Sequence, residues 1–264
     1  MKDVNAENAP PPSPPPILNR IAFSDIAAAL REGAADFRRA PAFGLFFTAF
    51  YVVGGLVIFF QLQVLSQSYW VIPLALGFPL LGPFVAVGLY EVSRRLEAGE
   101  PLDWPAIIGV VFKQTGRQIP SLAMVVIMIF LFWIYAAHLV FALFFGLKAM
   151  TNITTSWQVL YSVDGAIMLA VGTAVGAVLS FVLFSITVIG LPLLLDREID
   201  VVSAMVASVR SVLENAGPML AFGALAGAAM VVGMAPYFLG LFLVLPILGH
   251  ATWRLYRKAV RFEA

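Results

Sequence analysis

Five uncharged, apolar stretches set the terms for this chain: Pro41 to Leu65, Tyr69 to Tyr90, Pro120 to Leu147, Gly165 to Leu195 and Pro218 to Trp253. A helix needs roughly 20 apolar residues to cross a bilayer, and each stretch reaches that length. The last runs 36 residues, too long for one crossing. It is broken by Gly233-Met234-Ala235-Pro236, a sequence suited to a tight turn. The expectation is an all-α, polytopic transmembrane helical bundle of six spans, near 41–65, 69–91, 120–147, 165–195, 218–234 and 237–254. Five spans is the alternative, if Pro236 only kinks one long helix. Composition agrees: 61% of residues are apolar and 12% charged, against about 45–50% and about 25% in soluble domains. Lipid is the solvent for such a chain.

Charge placement favours six. With the N-terminus inside, the outer loops are 66–69, 148–164 and the turn near 235, and of 16 Lys and Arg only Lys148 falls outside. Arg38, Arg39, Arg94, Arg95, Arg117, Arg197, Arg210, Arg254, Arg257 and Lys258 all lie inside, as the positive-inside rule requires. Five spans would put the Arg254–Arg261 cluster outside. The expected arrangement is therefore multi-pass with both termini cytoplasmic. Residues 1–19, opening MKDVNAENAPPPSPPP, read as a disordered proline-rich tail, either an inert leader or a docking peptide. Residues 20–258 read as one membrane domain and 259–264 as a second cytoplasmic tail.

Three segments of similar design precede the odd-numbered spans. Ser24 to Ala40 carries Ile26, Leu30, Ala34 and Phe37 on one side and Arg31, Glu32, Asp36, Arg38 and Arg39 on the other. The second opens at Asp103 and carries Trp104, Ile107, Ile108, Val111 and Phe112; the third opens at Asp200 and carries Val202, Met205, Val206, Val209, Val212 and Leu213. Helical periodicity gathers the apolar residues on one face. Asp or Ser suits each start and Pro41, Pro120 or Pro218 marks each exit. The even spans echo one another too, through Pro79-Leu80-Leu81-Gly82, Gly190-Leu191-Pro192 and Pro246-Ile247-Leu248-Gly249. The expected unit is an amphipathic interfacial helix plus a membrane hairpin, used three times, each amphipathic helix lying with its apolar face in the acyl boundary.

Reactive chemistry is sparse. Zero cysteines exclude disulfides, thiolate metal sites and cysteine nucleophiles. There is no phosphate-binding Gly-rich loop, His-Glu-x-x-His or Gly-x-Ser-x-Gly. His138 and His250 fall near opposite membrane faces, so each reads as a polar residue bonding a neighbouring helix. Glu91, Asp164 and Asp196 fall at span ends, where water or headgroups solvate them, which counts against ion-coupled transport. Gly172-x-x-x-Gly176 and Gly223-x-x-x-Gly227 permit close helix contact. The sequon at Asn152 lies in an outer loop. No enzyme activity, cofactor or metal is expected, and a net charge of +1 excludes a nucleic-acid partner.

Polar groups concentrate on the inner side: Glu91, Arg94, Arg95, Asp196, Arg197, His250, Trp253, Arg254, Tyr256 and Arg257. They read either as an aromatic and cationic belt that anchors the inner interface and anionic lipid headgroups, or as a surface for a ligand or a partner's loop. The strings Phe78–Leu102 (FPLLGPFVAVGLYEVSRRLEAGEPL), Leu191–Arg197 (LPLLLDR) and Gly249–Arg257 (GHATWRLYR) resemble a family of bacterial inner-membrane proteins known as a domain of unknown function. Its members are sometimes labelled cytochrome c oxidase subunit I-like. That label implies histidines for two haems and a copper, which two histidines cannot supply. The resemblance implies a location and an architecture but no activity. The leading expectation is a non-catalytic interaction or accessory protein, with the bilayer, a membrane complex or further copies of itself as partners. The alternative is a small carrier or channel for an amphiphilic or anionic solute, resting on the repeats and the proline-broken helices.

Overall fold

The computed structural model describes residues 14–63, 71–146 and 162–263, and only the backbone of 61–63 and 71–81. The tail through residue 13, the loop 66–69, Lys148 and the sequon at Asn152 lie outside the described residues.

Local chemistry sets the element ends. Helix α1 (Phe23–Arg39) gives way at Ala40, and α2 (Pro41–Gln63) starts on a proline whose missing N–H needs no partner in a first turn. α3 (Val71–Ala98) ends at Gly99, which takes the left-handed φ of +68° that glycine accepts freely. α4 (Trp104–Lys113) is capped by Asp103, whose Oδ2 accepts from Ala106 N at 3.0 Å, and runs into a short tight turn, Gln114–Gly116. α5 (Ile119–Phe145) follows. α6 (Val163–Thr187) is capped by Ser162, and α7 (Gly190–Asp196) continues it after a break. Pro192 accounts for that break, because its ring collides with the carbonyl four residues back and it offers no N–H. At the break, Ile189 N donates to Ser208 Oγ at 3.1 Å. α8 (Val201–Glu214) is capped by Asp200; α9 (Ala216–Met234) and α10 (Leu241–Ala259) complete the bundle.

Among the described residues, four helical stretches are long and apolar enough to cross a membrane: Pro41–Phe60, Ile119–Phe145, Val163–Asp196 and Ala216–Met234. The molecule is an all-helical integral membrane protein. The turn expected near 235 is present, since α9 stops at Met234 and Tyr237 and Phe238 take left-handed φ values of 50° and 65°.

The chain ends meet. Strand β1 (Ile17–Leu18) pairs antiparallel with β2 (Val260–Arg261), Ile17 opposite Arg261 and Leu18 opposite Val260. Asn19 N donates to Ala259 O and its side chain to Lys258 O. The order thus extends into both expected tails, because each supplies the other's missing backbone partners. At this end of the bundle lies the main core, where Trp253, Leu255 and Tyr256 of α10 pack with Ile189, Leu193 and Leu194.

α1 corrects one expectation. Its buried line is Ile26, Ala29, Gly33 and Asp36, and it packs mainly against α10. Gly33 is the reason: a Cβ there would stand 2.5 Å from Ala251 N and 2.8 Å from Ile247 O. The helix is turned toward its small residues, so Asp36, expected on the solvated face, points inward. α8 also turns small residues inward, and Val212, expected on the outward apolar face, is buried with them. Its small face, Ala204, Ala207, Ser208 and Ser211, is buried, while Val202, Val206 and Leu213 are exposed.

Candidate functional site

Two features stand out, a polar lattice beside the paired termini and an open apolar hollow between the helices. The lattice centres on Asp36, whose side chain is almost fully buried. Arg254 binds it in a fork, Nε to Oδ2 at 2.8 Å and Nη2 to Oδ1 at 2.9 Å. Ser93 Oγ donates to Asp36 Oδ2 at 3.0 Å and stands 2.8 Å from His250 Nδ1. With the serine proton committed to Asp36, the imidazole is the donor to Ser93 Oγ. Asp, Ser and His sit together here, but serine is the middle member. In a hydrolase the histidine stands between the other two and draws the proton from serine.

Glu97 extends the lattice, accepting from Trp253 Nε1 and from Arg257 Nε, both at 3.1 Å. Arg257 reaches Asp196 at 3.8 Å, and Tyr256 donates its hydroxyl to Asp196 at 2.7 Å. Burial and the Asp196 carboxylate push the Tyr256 hydroxyl well above its ordinary pKa, so it stays protonated. Arg197 pairs with Asp196 and lies over the Phe262 ring, and Lys258 binds Glu32. α1, α3, α7 and α10 are thereby tied at one end.

Of the ten residues singled out from the sequence, Asp196, Arg197, His250, Trp253, Arg254, Tyr256 and Arg257 share this lattice. Glu91, Arg94 and Arg95 form a separate group. The expectation that Glu91 is solvated fails: its side chain is buried beneath Arg94 (2.7 and 2.9 Å) and Arg95 (2.7 Å). Arg94 also grips Glu100, whose carboxyl it holds below the ordinary carboxylate range, while both acids raise the guanidinium further. Trp253 and Tyr256 are buried in the core, which removes them from an interfacial aromatic belt. His138 bonds Ile134 O of its own helix at 2.7 Å, where a neighbouring helix was expected. Sequence reading missed Asp36, Ser93 and Glu97 as partners. Arg38, Arg39 and Lys113 are exposed and make no ion pair among the described residues. Among those residues no group of three or more His, Asp and Glu could hold a metal.

The hollow holds about 650 Å³ and draws its walls from α2, α3, α5, α6, α7 and the 235–240 turn. Tyr51, Gly55, Pro83, Phe130, Leu183 and Phe238 are among its lining residues. Among the described residues that line it, side-chain polar atoms come from Tyr51, Trp133, Ser180 and Thr187, and no charged side chain contributes. A second hollow of about 540 Å³ opens between α5 and α6, and Trp133, Leu179 and Ser180 line both. Small-molecule sites commonly span about 300–1,000 Å³ and are mostly apolar with a few placed polar groups.

No curated protein and no solved structure matches the chain. Residues 71–196, from the first residue of α3 to the last of α7, match the family model described as Predicted integral membrane protein (DUF2189), which bears out the resemblance to a membrane family of unknown function.

Proposed function

We propose that this protein is a non-catalytic, six-span membrane protein that binds an amphiphile in the hollow between its helices, as a small carrier does. The observation that carries the reading is the 650 Å³ hollow between α2, α3, α5, α6 and α7, with Met234 and Phe238 at its edge and no charged side chain among the described residues that line it. In this reading three units, each an amphipathic helix and a hairpin, surround that cavity: α1 with α2 and α3, α4 with α5 and α6, α8 with α9 and α10. The antiparallel pairing of the two chain ends supports an even number of crossings. The placement of Lys and Arg favours a cytoplasmic location for both ends and an inner-membrane setting. Exposed Val202, Val206 and Leu213 on α8 suit an acyl boundary, and Arg38, Arg39 and Lys113 suit anionic headgroups. The lattice around Asp36 and the separate Glu91–Arg94–Arg95 group then seal the cytoplasmic end, since their charges are matched internally and little is left to attract a soluble anion.

Thermal unfolding in detergent with a panel of single-chain amphiphiles tests the reading. A ligand of the folded state at 100 times its Kd adds about 2.7 kcal/mol, so at least one class raises the midpoint in a saturable way. A panel that shifts nothing beyond the general detergent effect contradicts it. The second reading, an accessory protein, draws on the open cleft between α5 and α6, where a partner's helix would find Ala136, Ala137 and Gly172. Stoichiometric co-purification of a membrane complex in mild detergent would favour it; a lone protein carrying lipid would count against it.

A further inference from the structure

We infer that the ligand is an uncharged, single-chain lipid bearing a hydroxyl or carbonyl, that it enters sideways from the bilayer between α5 and α6, and that its polar group rests on Ser180. This inference rests on the amphiphile reading above and narrows it. The two hollows meet at Trp133, Leu179 and Ser180, which line both. The outer one opens toward the lipid-facing side of two helices that are among the most apolar in the chain. Its walls are low because Ala136, Ala137, Gly172 and Ala177 carry little side chain.

Trp133 stands at the junction. Its ring occupies the notch left by Gly176, where a Cβ would lie 2.7 Å from the indole Cη2.

Chemistry selects the class. Among the described residues, neither hollow is lined by Asp, Glu, Lys or Arg. A charged headgroup drawn to this depth would be left unpaired in a low-dielectric setting, a cost of several kcal/mol. Hydroxyls, by contrast, are on offer. Thr173 and Ser180 are seven residues apart on α6, hence on one face, and both line the path. Other hydroxyls of this helix satisfy themselves: Ser185 donates to Phe181 O and Thr187 to Leu183 O, each at 2.7 Å. Thr173 and Ser180 have no such bond among the described residues. Two open hydroxyls along a charge-free path match a lipid whose polar atoms are neutral hydrogen-bonding oxygens.

The test uses the full chain in phosphatidylcholine proteoliposomes with two photoreactive, alkyne-tagged probes, a monoacylglycerol and a lysophosphatidate of the same chain length. The monoacylglycerol is expected to label peptides of α5 and α6 saturably, with labelling displaced by unlabelled monoacylglycerol. Ser180→Ala should weaken that competition about three- to tenfold, the worth of one hydrogen bond. Ala177→Phe should block labelling of the hollow's residues, and an unchanged midpoint on SDS titration followed by circular dichroism reports that this variant is still folded. Undisplaced labelling spread evenly over lipid-facing helices would overturn the inference. Saturable labelling by lysophosphatidate alone would overturn the neutral class yet leave an amphiphile site standing. Saturable labelling by neither probe would overturn the inference and the broader reading together.

Discussion

At the residue scale, the decisive group is Asp36. A buried carboxylate is tolerable only when its lone pairs are filled, and Arg254 and Ser93 fill them. Removing one partner leaves an uncompensated charge. Asp36→Ala or Arg254→Ala should therefore destabilise the protein by about 3–5 kcal/mol, while a well-packed apolar replacement of both, Asp36→Leu with Arg254→Met, should cost far less. Titration with SDS in mixed micelles, followed by circular dichroism, gives these differences. Equal losses for single and double variants would mean that the lattice does not act as a charge pair. Glu100 makes a pH prediction of the opposite kind. Arg94 lowers its folded-state pKa, so its contribution is present above the ordinary carboxylate range and fades as the pH falls through the depressed value. Glu100→Gln should thus be less stable than the parent at neutral pH and indistinguishable from it in strong acid. A difference that persists in acid would assign the effect to something other than this ion pair.

Element by element, the long helices were legible because lipid demands length and apolarity together, and Pro41 and Pro236 punctuate the chain where sterics require. Helix caps were legible for the same local reason at Asp103 and Asp200. Face assignment was not. The apolar residues of α1 mark a face one step away from the one that packs, because close approach to α10 rewards the absence of a side chain at Gly33, and no hydrophobicity pattern reports that. Gly33→Leu must push the α10 backbone aside and should lower stability by about 1–3 kcal/mol or more. Gly227→Ala, at a site with open space around it, should be neutral or gain up to about 1 kcal/mol in helix propensity. The same SDS titration separates them, and equal effects at the two glycines would contradict the close α1–α10 approach. The break between α6 and α7 was likewise read as a single stretch to Leu195, since Pro192 interrupts geometry without interrupting apolarity.

For the whole molecule, the two features of the site differ in how far sequence reached them. The inner-side lattice was visible as a concentration of polar residues in an apolar chain, though Asp36, Ser93 and Glu97 were absent from it because their partners lie 57 or more residues away. The hollow was invisible. A cavity is the space that side chains on several helices leave unfilled, and Tyr51, Trp133, Ser180 and Phe238 look like ordinary span residues until the helices are assembled around them. Two consecutive aromatic residues in left-handed conformation, Tyr237 and Phe238, are strained by roughly 1–3 kcal/mol each, and this turn sets the Phe238 ring against Gly55 and into the cavity wall. The chain tolerates that strain at the edge of the hollow, where it shapes the space.

The most direct test of the central claim is native mass spectrometry of the protein released from lipid nanodiscs, comparing the parent with Leu183→Trp. Leu183 lines the cavity without contributing a polar atom, so the larger ring fills the space and leaves the lattice intact. The parent should retain one amphiphile per chain that survives mild activation, and the variant should lose it while unfolding at a similar SDS concentration. A parent that sheds all lipid at the same activation as its variant would contradict the account.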